Sequence, residues 1–267
     1  MGANIKALKT RIRSVDSTLH LTRAMGLVAS SKIRRANEAM NGGKQYAAAF
    51  GSVVDLLTAC PECAHSPYMK EPEGERTCLI VIAGDRGLAG GYNANVFRLV
   101  AELPHDRIVP IGKRACDRYK GEFFSSEDFN GVQATDMARK LCAAYVAGEF
   151  DKLGIVSTKY VSMMTQEAMV TWVLPLERTE QAEKVAAVFE PDEESILNTA
   201  VPDYVAGILM RCVRESFASE VAARRMAMDS AGKNAQSMID NLQLQYNRAR
   251  QGAITQEITE IVAGAGE

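Results

Sequence analysis

The sequence predicts an α/β protein: a long antiparallel coiled coil of its first and last segments, plus a small doubly wound α/β domain between them. Three observations lead there. Each end carries a proline-free helical seam, and the middle alternates β-α-β-α. The end segments are also too long to lie inside a compact globule of 267 residues.

From Asn4 to about Ala59 there is no proline, and apolar or small residues fall at Ile5, Leu8, Ile12, Val15, Leu19, Thr22, Gly26, Ala29, Ile33, Ala36 and Met40. Those steps alternate three and four, which is a heptad seam. It turns small at Thr22, Gly26 and Ala29, where a second backbone could approach closely. A second stripe, Leu21, Met25 and Val28, starts there on a neighbouring face. Gly42-Gly43 predicts a kink or break, since each glycine costs a helix roughly 1 kcal/mol relative to alanine.

The middle reads differently. Arg76 to Ala83 is a continuous apolar run suited to a buried parallel strand, and Asp106 to Ile111 and Leu153 to Thr158 resemble it. Glu167 to Leu174 alternates and predicts a further strand. Helices are predicted over Asn93–Leu103, Lys113–Tyr119 and Gln133–Gly148, completing a doubly wound order.

The last segment is proline-free from Asp203 to about Gly264. Its seam reads Phe217, Val221, Arg224, Met228, Ala231, Ala235, Met238 and Leu242, then shifts to Tyr246, Ala249, Ala253, Ile254, Ile258 and Ile261. Pro202 is placed to start this helix and Gly264-Ala265-Gly266 to end it. At about 1.5 Å per residue the two helices would run roughly 80–90 Å, against roughly 45–50 Å for a compact chain of this size. They are expected to project as one hairpin. The predicted division is a shaft of residues 1–59 and 203–267 and an α/β domain of residues 60–202.

Composition narrows the function. Forty-seven per cent of residues are apolar, and 31 basic against 33 acidic side chains leave a net charge of −2. No run reaches the roughly 18–20 uninterrupted apolar residues of a membrane span. The N-terminus lacks a signal peptide's apolar stretch, and six scattered cysteines fit a reducing compartment, so an intracellular soluble protein is expected. The small net charge hides a segregation: residues 1–40 carry +6, residues 211–250 carry +3, and residues 41–210 carry −8. Cationic ends and an anionic middle imply different partners.

Motifs for chemistry are few. Gly84-Asp85-Arg86-Gly87-Leu88-Ala89-Gly90-Gly91-Tyr92-Asn93 follows a strand and opens a helix, where phosphate loops sit. Its G-x-x-G-x-x-G spacing differs from the dinucleotide fingerprint, so tight turning is the leading reading and phosphate binding the weaker one. Cys60, Cys63 and His65 offer three soft ligands, one short of a structural zinc set. C-x-x-C could also be redox active, but it follows a long helix rather than a strand, so chance or local capping is the expected reading, and no metal or cofactor is expected. Nucleophile elbow, H-E-x-x-H and kinase loop patterns are absent from the sequence. The basic first helix lacks the aromatic interleaving of single-strand binders, so no nucleic-acid partner is expected. A dinucleotide-dependent enzyme and a nucleic-acid tether remain as alternatives.

Three stretches together resemble the gamma subunit of F-type rotary ATP synthase: Ile12 to Lys32, with Thr22-Arg-Ala-Met-Gly-Leu-Val-Ala-Ser-Ser-Lys32; the Gly84–Asn93 loop; and Glu215 to Met228 continuing into Tyr246 to Ala265. The resemblance spans the whole chain. It implies a non-catalytic rotor shaft whose terminal helices turn inside a ring of three alpha and three beta subunits. The Rossmann-like α/β domain would meet the epsilon subunit and the membrane ring of c subunits, through which alone the membrane is reached, with catalysis left to beta. By the same resemblance Arg250, Gln251 and Thr255 would contact a catch loop of beta, and Met25 and Arg224 its acidic levers. Ile254, Ile258, Ile261 and Val262 would form an apolar tip within a sleeve. Phe189 and Glu190 would meet the c ring, and Gly84, Asp85, Gly87, Gly90, Gly91 and Asn93 would form a structural loop. Gly26, Arg225, Ala89 and Gly252-Ala253 depart from the family's usual residues. The redox-regulatory cysteine segment of chloroplast members and a transit peptide are lacking, so a bacterial protein at the cytoplasmic face of the plasma membrane is expected.

Overall fold

A computed structural model describes residues 2–70, 74–178 and 190–264. The chain order is α1 (Gly2–Ala59), a short 3-10 turn (Pro61–His65), β1 (Thr77–Ile82), α2 (Tyr92–Glu102), β2 (Arg107–Ile111), α3 (Lys113–Tyr119), α4 (Gly131–Val146), β3 (Lys152–Tyr160), β4 (Gln166–Leu174) and α5 (Glu193–Gly264). Contacts divide it into two units: a body of Ser31–Ala223, and a helix pair of Met1–Ser30 with Arg224–Glu267.

The body is a mixed four-stranded sheet in the order β2-β1-β3-β4. β1 pairs parallel with β2 and β3, and β4 closes the edge antiparallel to β3. All six residues of β1 are buried, because both of its faces are covered. Cys78, Ile80 and Ile82 point into a core with Ala134, Ala138 and Leu141 of α4, Val54 and Leu57 of α1, and Leu197, Val201, Val205 and Leu209 of α5. Leu79, Val81 and Ala83 point the other way, onto Val96 and Val100 of α2 and Ala115 of α3. This is the double winding that the alternating element order predicts. α4 begins at a capping box: Asn130 accepts from the Gln133 N–H, and the Gln133 side chain accepts in return. That reciprocal cap starts the helix two residues before the predicted Gln133.

Two expectations about the long helices fail, for identifiable reasons. α1 does not break at Gly42-Gly43. A Cβ at Gly43 would lie 3.3 Å from Arg214 Cδ and 3.7 Å from Arg211 Cα, so the missing side chain lets α5 pack closely there. That packing offsets the glycine's weak helical preference. α5 begins at Glu193, with Pro202 inside it rather than at its start. Asp192 supplies the true cap, accepting from the Ser195 N–H and hydroxyl at 2.8 Å each. The buried stripe Leu197, Val201, Val205, Leu209 then carries the helix across the proline. An 18-residue window of α5 also reaches a mean hydropathy of 1.2, and half of that window is buried within the protein, as in a core helix.

In the helix pair α1 and α5 run antiparallel. Leu19 packs on Ala235 and Ile239, Thr22 lies near Gly232, and Gly26 lies near Met228. The α1 seam is buried or half-buried at every predicted position from Ile5 to Ala29. On α5 up to Ala253 one position differs: Met238 is 46% exposed, and Ile239, at 5%, takes its place, while the predicted seam residues Ile254, Ile258 and Ile261 beyond it are all exposed. The seam Ala235, Ile239, Leu242, Tyr246, Ala249, Ala253 keeps the four-three alternation that holds one face inward over several turns.

Candidate functional site

On the helix pair, the buried seam leaves the other faces for something else to meet. Past Ala253 α5 has no inward face: Ile254, Ile258, Ile261 and Val262 are 46%, 56%, 70% and 67% exposed. At the register set by Thr22 and Gly232 the start of α1 lies opposite about Gly252, so these last turns have no helix to pack on. Isoleucines four residues apart share one helical stripe, and an apolar stripe in water marks a surface built to be covered. Arg250, Gln251 and Thr255 sit exposed beside it, with Thr255 Oγ1 donating back to the Gln251 carbonyl at 3.0 Å. The arginine and glutamine side chains therefore project a fork of donors and an amide next to apolar surface.

Farther along the pair, Met25 and Arg224 are both half-buried. Their sequence neighbours Gly26 and Arg225, not they themselves, line a groove of about 490 Å³ together with Gly232, Arg23 and Lys233. Lys233 Nζ pairs with Asp229 at 2.8 Å and Arg23 reaches Gln236 at 3.4 Å. Leu21, Leu27 and Val28 stand exposed nearby. Apolar side chains set among cations suit an acidic, amphipathic partner surface. Leu27, outside both sequence stripes, is the residue that periodicity missed.

In the body, the glycine-rich loop turns inward on itself. The Gly84 N–H donates to Asn93 Oδ1 at 2.9 Å, and Asn93 Nδ2 reaches the Arg86 carbonyl at 3.4 Å. Leu88 and Gly90 take left-handed conformations, and Gly91 caps α2. Asp85 ties the loop to α3 and to the segment before α4. It accepts from the N–H groups of Lys113 (2.9 Å), Ser126 (3.0 Å) and Glu127 (3.2 Å), and from the Ser125 hydroxyl (2.8 Å). Burial pushes the Asp85 carboxyl up, but those four donors outweigh it and hold the group below its ordinary value. The carboxylate thus anchors the glycine-rich loop to the start of α3 and to residues 125–127. Gly87 lies against Arg114, 3.2 Å from where its Cβ would be.

Cys60 and Cys63 behave as packing residues. Cys63 is fully buried in the core and its thiol is pushed up to about 11, chiefly by burial, with Cys60 adding to the effect. Cys60 Sγ donates to the Leu56 carbonyl at 3.4 Å, and its own thiol is raised, first by burial and then by Glu193. Thiols held protonated by burial make poor nucleophiles. His65 is exposed, and no cluster of three metal-ligating side chains exists among the described residues. Glu190 is exposed just before α5, while Phe189 lies outside the described residues.

Comparisons with known proteins agree over the whole length. A family model described as ATP synthase matches residues 4–266. The sodium ion specific ATP synthase gamma chain of Acetobacterium woodii is 37% identical, covering 99% of each chain. The ATP synthase gamma chain of Ruminococcus albus is 39% identical, covering 97% of this chain and 96% of its own. Among solved structures, a chain of the Euglena gracilis mitochondrial ATP synthase (OSCP, F1 and c-ring, rotational state 3) superposes with a TM-score of 0.65 at 16% identity, over 98% of this chain and 94% of that one. A chain from the central stalk and c-ring of the Tetrahymena thermophila mitochondrial ATP synthase gives 0.62 at 22% identity, over 79% and 99%. With full-length identity of this order to named gamma chains, the chain belongs to the ATP synthase gamma-chain family.

Proposed function

We propose that this gamma-family chain is the rotor shaft of an F-type ATP synthase, a non-catalytic subunit of a membrane-associated complex. It transmits torque between a membrane ring of c subunits and catalytic sites on beta subunits. The observation that carries the reading is the full-length identity to gamma chains, 37% over 99% of both chains. The exposed apolar end of α5 supports it, because an apolar patch of that kind marks a surface for a protein partner.

The partners follow from the same reading: alpha and beta subunits around the helix pair, an epsilon subunit and the c ring at the α/β domain, and no nucleic acid. Residues 1–59 and 203–267 form the shaft and residues 60–202 the domain below it. Arg250, Gln251 and Thr255 engage beta through charge-assisted and amide hydrogen bonds. Met25 and Arg224 face acidic segments of beta, and Ile254, Ile258, Ile261 and Val262 turn inside an apolar sleeve. Phe189 and Glu190 belong to the foot that meets the c ring, and the complex lies at the cytoplasmic face of a bacterial membrane. The hydrogen bonds of Asn93 across the loop and of Asp85 to α3 support a structural role for Gly84, Asp85, Gly87, Gly90, Gly91 and Asn93 over nucleotide binding.

Reconstitution tests the reading. The purified chain, mixed with alpha and beta subunits of a close relative, is expected to give a complex with a single copy of this chain and strong multi-site ATPase turnover. A well-folded chain that leaves the ring empty, or that binds labelled nucleotide by itself in equilibrium dialysis, would overturn it.

A further inference from the structure

Parallel α/β sheets leave a crevice beyond the carboxyl ends of their strands, and ligands ordinarily bind where successive connections leave in opposite directions. Here β1 connects to β2 on one side and the chain then crosses to β3 on the other, so that point lies between β1 and β3. The chain's own α5 fills it. β3 continues to Tyr160, although its pairing with β1 ends at Val156 opposite Val81. Along that unpaired edge the Thr158 N–H donates to Ser216 Oγ at 3.0 Å and the Tyr160 N–H to Glu215 Oε1 at 3.3 Å. Ser219 Oγ donates to the Thr158 carbonyl at 3.3 Å. Three side chains on one face of α5 replace a neighbouring strand.

Other elements close on the same turns of helix. The Tyr92 hydroxyl, at the start of α2, donates to the Ser216 carbonyl at 3.0 Å. Beyond the end of β1, Gly84 lies so close that a Cβ there would be 2.6 Å from the Glu220 carboxyl carbon. Lys44 of α1 pairs with Glu215 at 3.1 Å, so both long helices are engaged. Apolar burial is non-directional and tolerates small rotations of a packed helix. Hydrogen bonds weaken steeply away from their preferred angle, so a set of them fixes a helix about its own axis.

We propose that Glu215, Ser216 and Ser219 are positioning residues forming a rotational grip, which holds α5 at one angle to the sheet so that torque on the body passes into the helix pair. The inference rests on the rotor-shaft reading and gives the crevice between β1 and β3 a mechanical use.

The test is made in the ATP synthase assembled on this chain, with the ring immobilised, catalysis halted by a non-hydrolysable nucleotide, and a bead on an exposed position of α2. The bead's angular variance reads torsional compliance. Ser216→Ala combined with Ser219→Ala is expected to raise the variance by about twofold while unloaded ATPase turnover stays at the wild-type rate, since directional bonds are lost and the apolar core is kept. Glu215→Ala raises it too, whereas Glu215→Gln, which keeps an oxygen for the Tyr160 N–H, restores the wild-type variance. Should the serine pair fail to fold, the two Glu215 variants decide the matter alone. Unchanged variance in Glu215→Ala and the serine pair would overturn the grip. An equal rise in Val205→Ala, matched for lost thermal stability, would also overturn it by assigning the effect to general softening. A wild-type chain that forms no rotating complex would instead overturn the shaft reading, before any variant is compared.

Discussion

The two ends of α5 are one helix under two sets of rules. From Leu197 to Ala222 nearly every side chain is enclosed, and even Glu215, Ser216, Ser219 and Glu220 are buried. From Ile254 onward every described residue is exposed, including three isoleucines. In the first region polar residues are inside because strand and loop groups need hydrogen-bond partners there. In the second, apolar residues are outside because the fold supplies nothing to cover them. Residue chemistry alone therefore does not tell core from contact surface. What the fold leaves uncovered does.

Mutations sharpen that contrast, beginning with the largest effect. Leu209→Ala, which empties a fully buried site in the body, is expected to cost about 2–5 kcal/mol in denaturant unfolding of the isolated chain. Ile258→Ala removes a similar side chain from the exposed end and should change stability by less than about 0.5 kcal/mol. Equal losses from the two would break the comparison.

Gly84→Ala forces a methyl group against the Glu220 carboxyl and is expected to cost about 1–3 kcal/mol, read as a lower thermal midpoint. Asp85→Asn loses part of the four-donor cage, at about 1–2 kcal/mol near neutral pH. Because folding lowers the Asp85 pKa, the native state binds fewer protons there than the unfolded chain does. Its contribution is complete above the unfolded carboxylate value of about 3.9 and fades as pH falls through the lower folded value. Wild type and Asp85→Asn should therefore converge in stability on acidification below about pH 4, as followed by circular dichroism.

Smaller still for folding is Arg250→Ala combined with Gln251→Ala, both exposed. Stability should stay within about 0.5 kcal/mol of wild type, while rotation-coupled ATPase of the reconstituted complex falls. Normal coupled turnover with normal assembly would remove these residues from the beta contact. Last, prolonged chelation should leave the thermal midpoint where it was, since no cluster of three metal-ligating side chains stands among the described residues.

Much of the architecture was legible from local pattern. The α1 seam needed only its three-four spacing, and β1 announced burial on both faces by six consecutive residues without a charge. α3 matches its predicted bounds, and the other strands and helices of the body differ by one or two residues at their ends. Where reading failed, a distant partner had outvoted a local preference. Gly43 looked like a break until Arg211 and Arg214 came near it. Pro202 looked like a start until the core took up Leu197 and Val201 before it and Val205 and Leu209 after it. Met238 lost its seam position to Ile239, a one-residue choice that composition does not decide because both side chains are apolar. Among the surfaces, the apolar end of α5 was visible as a hydrophobic run. The groove at Gly26 and Gly232, and exposed Leu27, needed the second helix in place.

The sequence by itself determined the two helical seams, the order of strands and helices, and, through three quoted stretches, the family. These are properties of spacing and identity, carried along a few turns of chain. Only the tertiary structure decided that Asp85 ties the glycine loop to α3 and residues 125–127 and that the crevice between β1 and β3 is occupied by α5. Those outcomes depend on bonds such as Thr158 to Ser216 and Tyr92 to Ser216, between residues 58 and 124 apart in sequence. No local period encodes such a pairing, because what fills a crevice depends on which distant groups the completed fold brings to its rim.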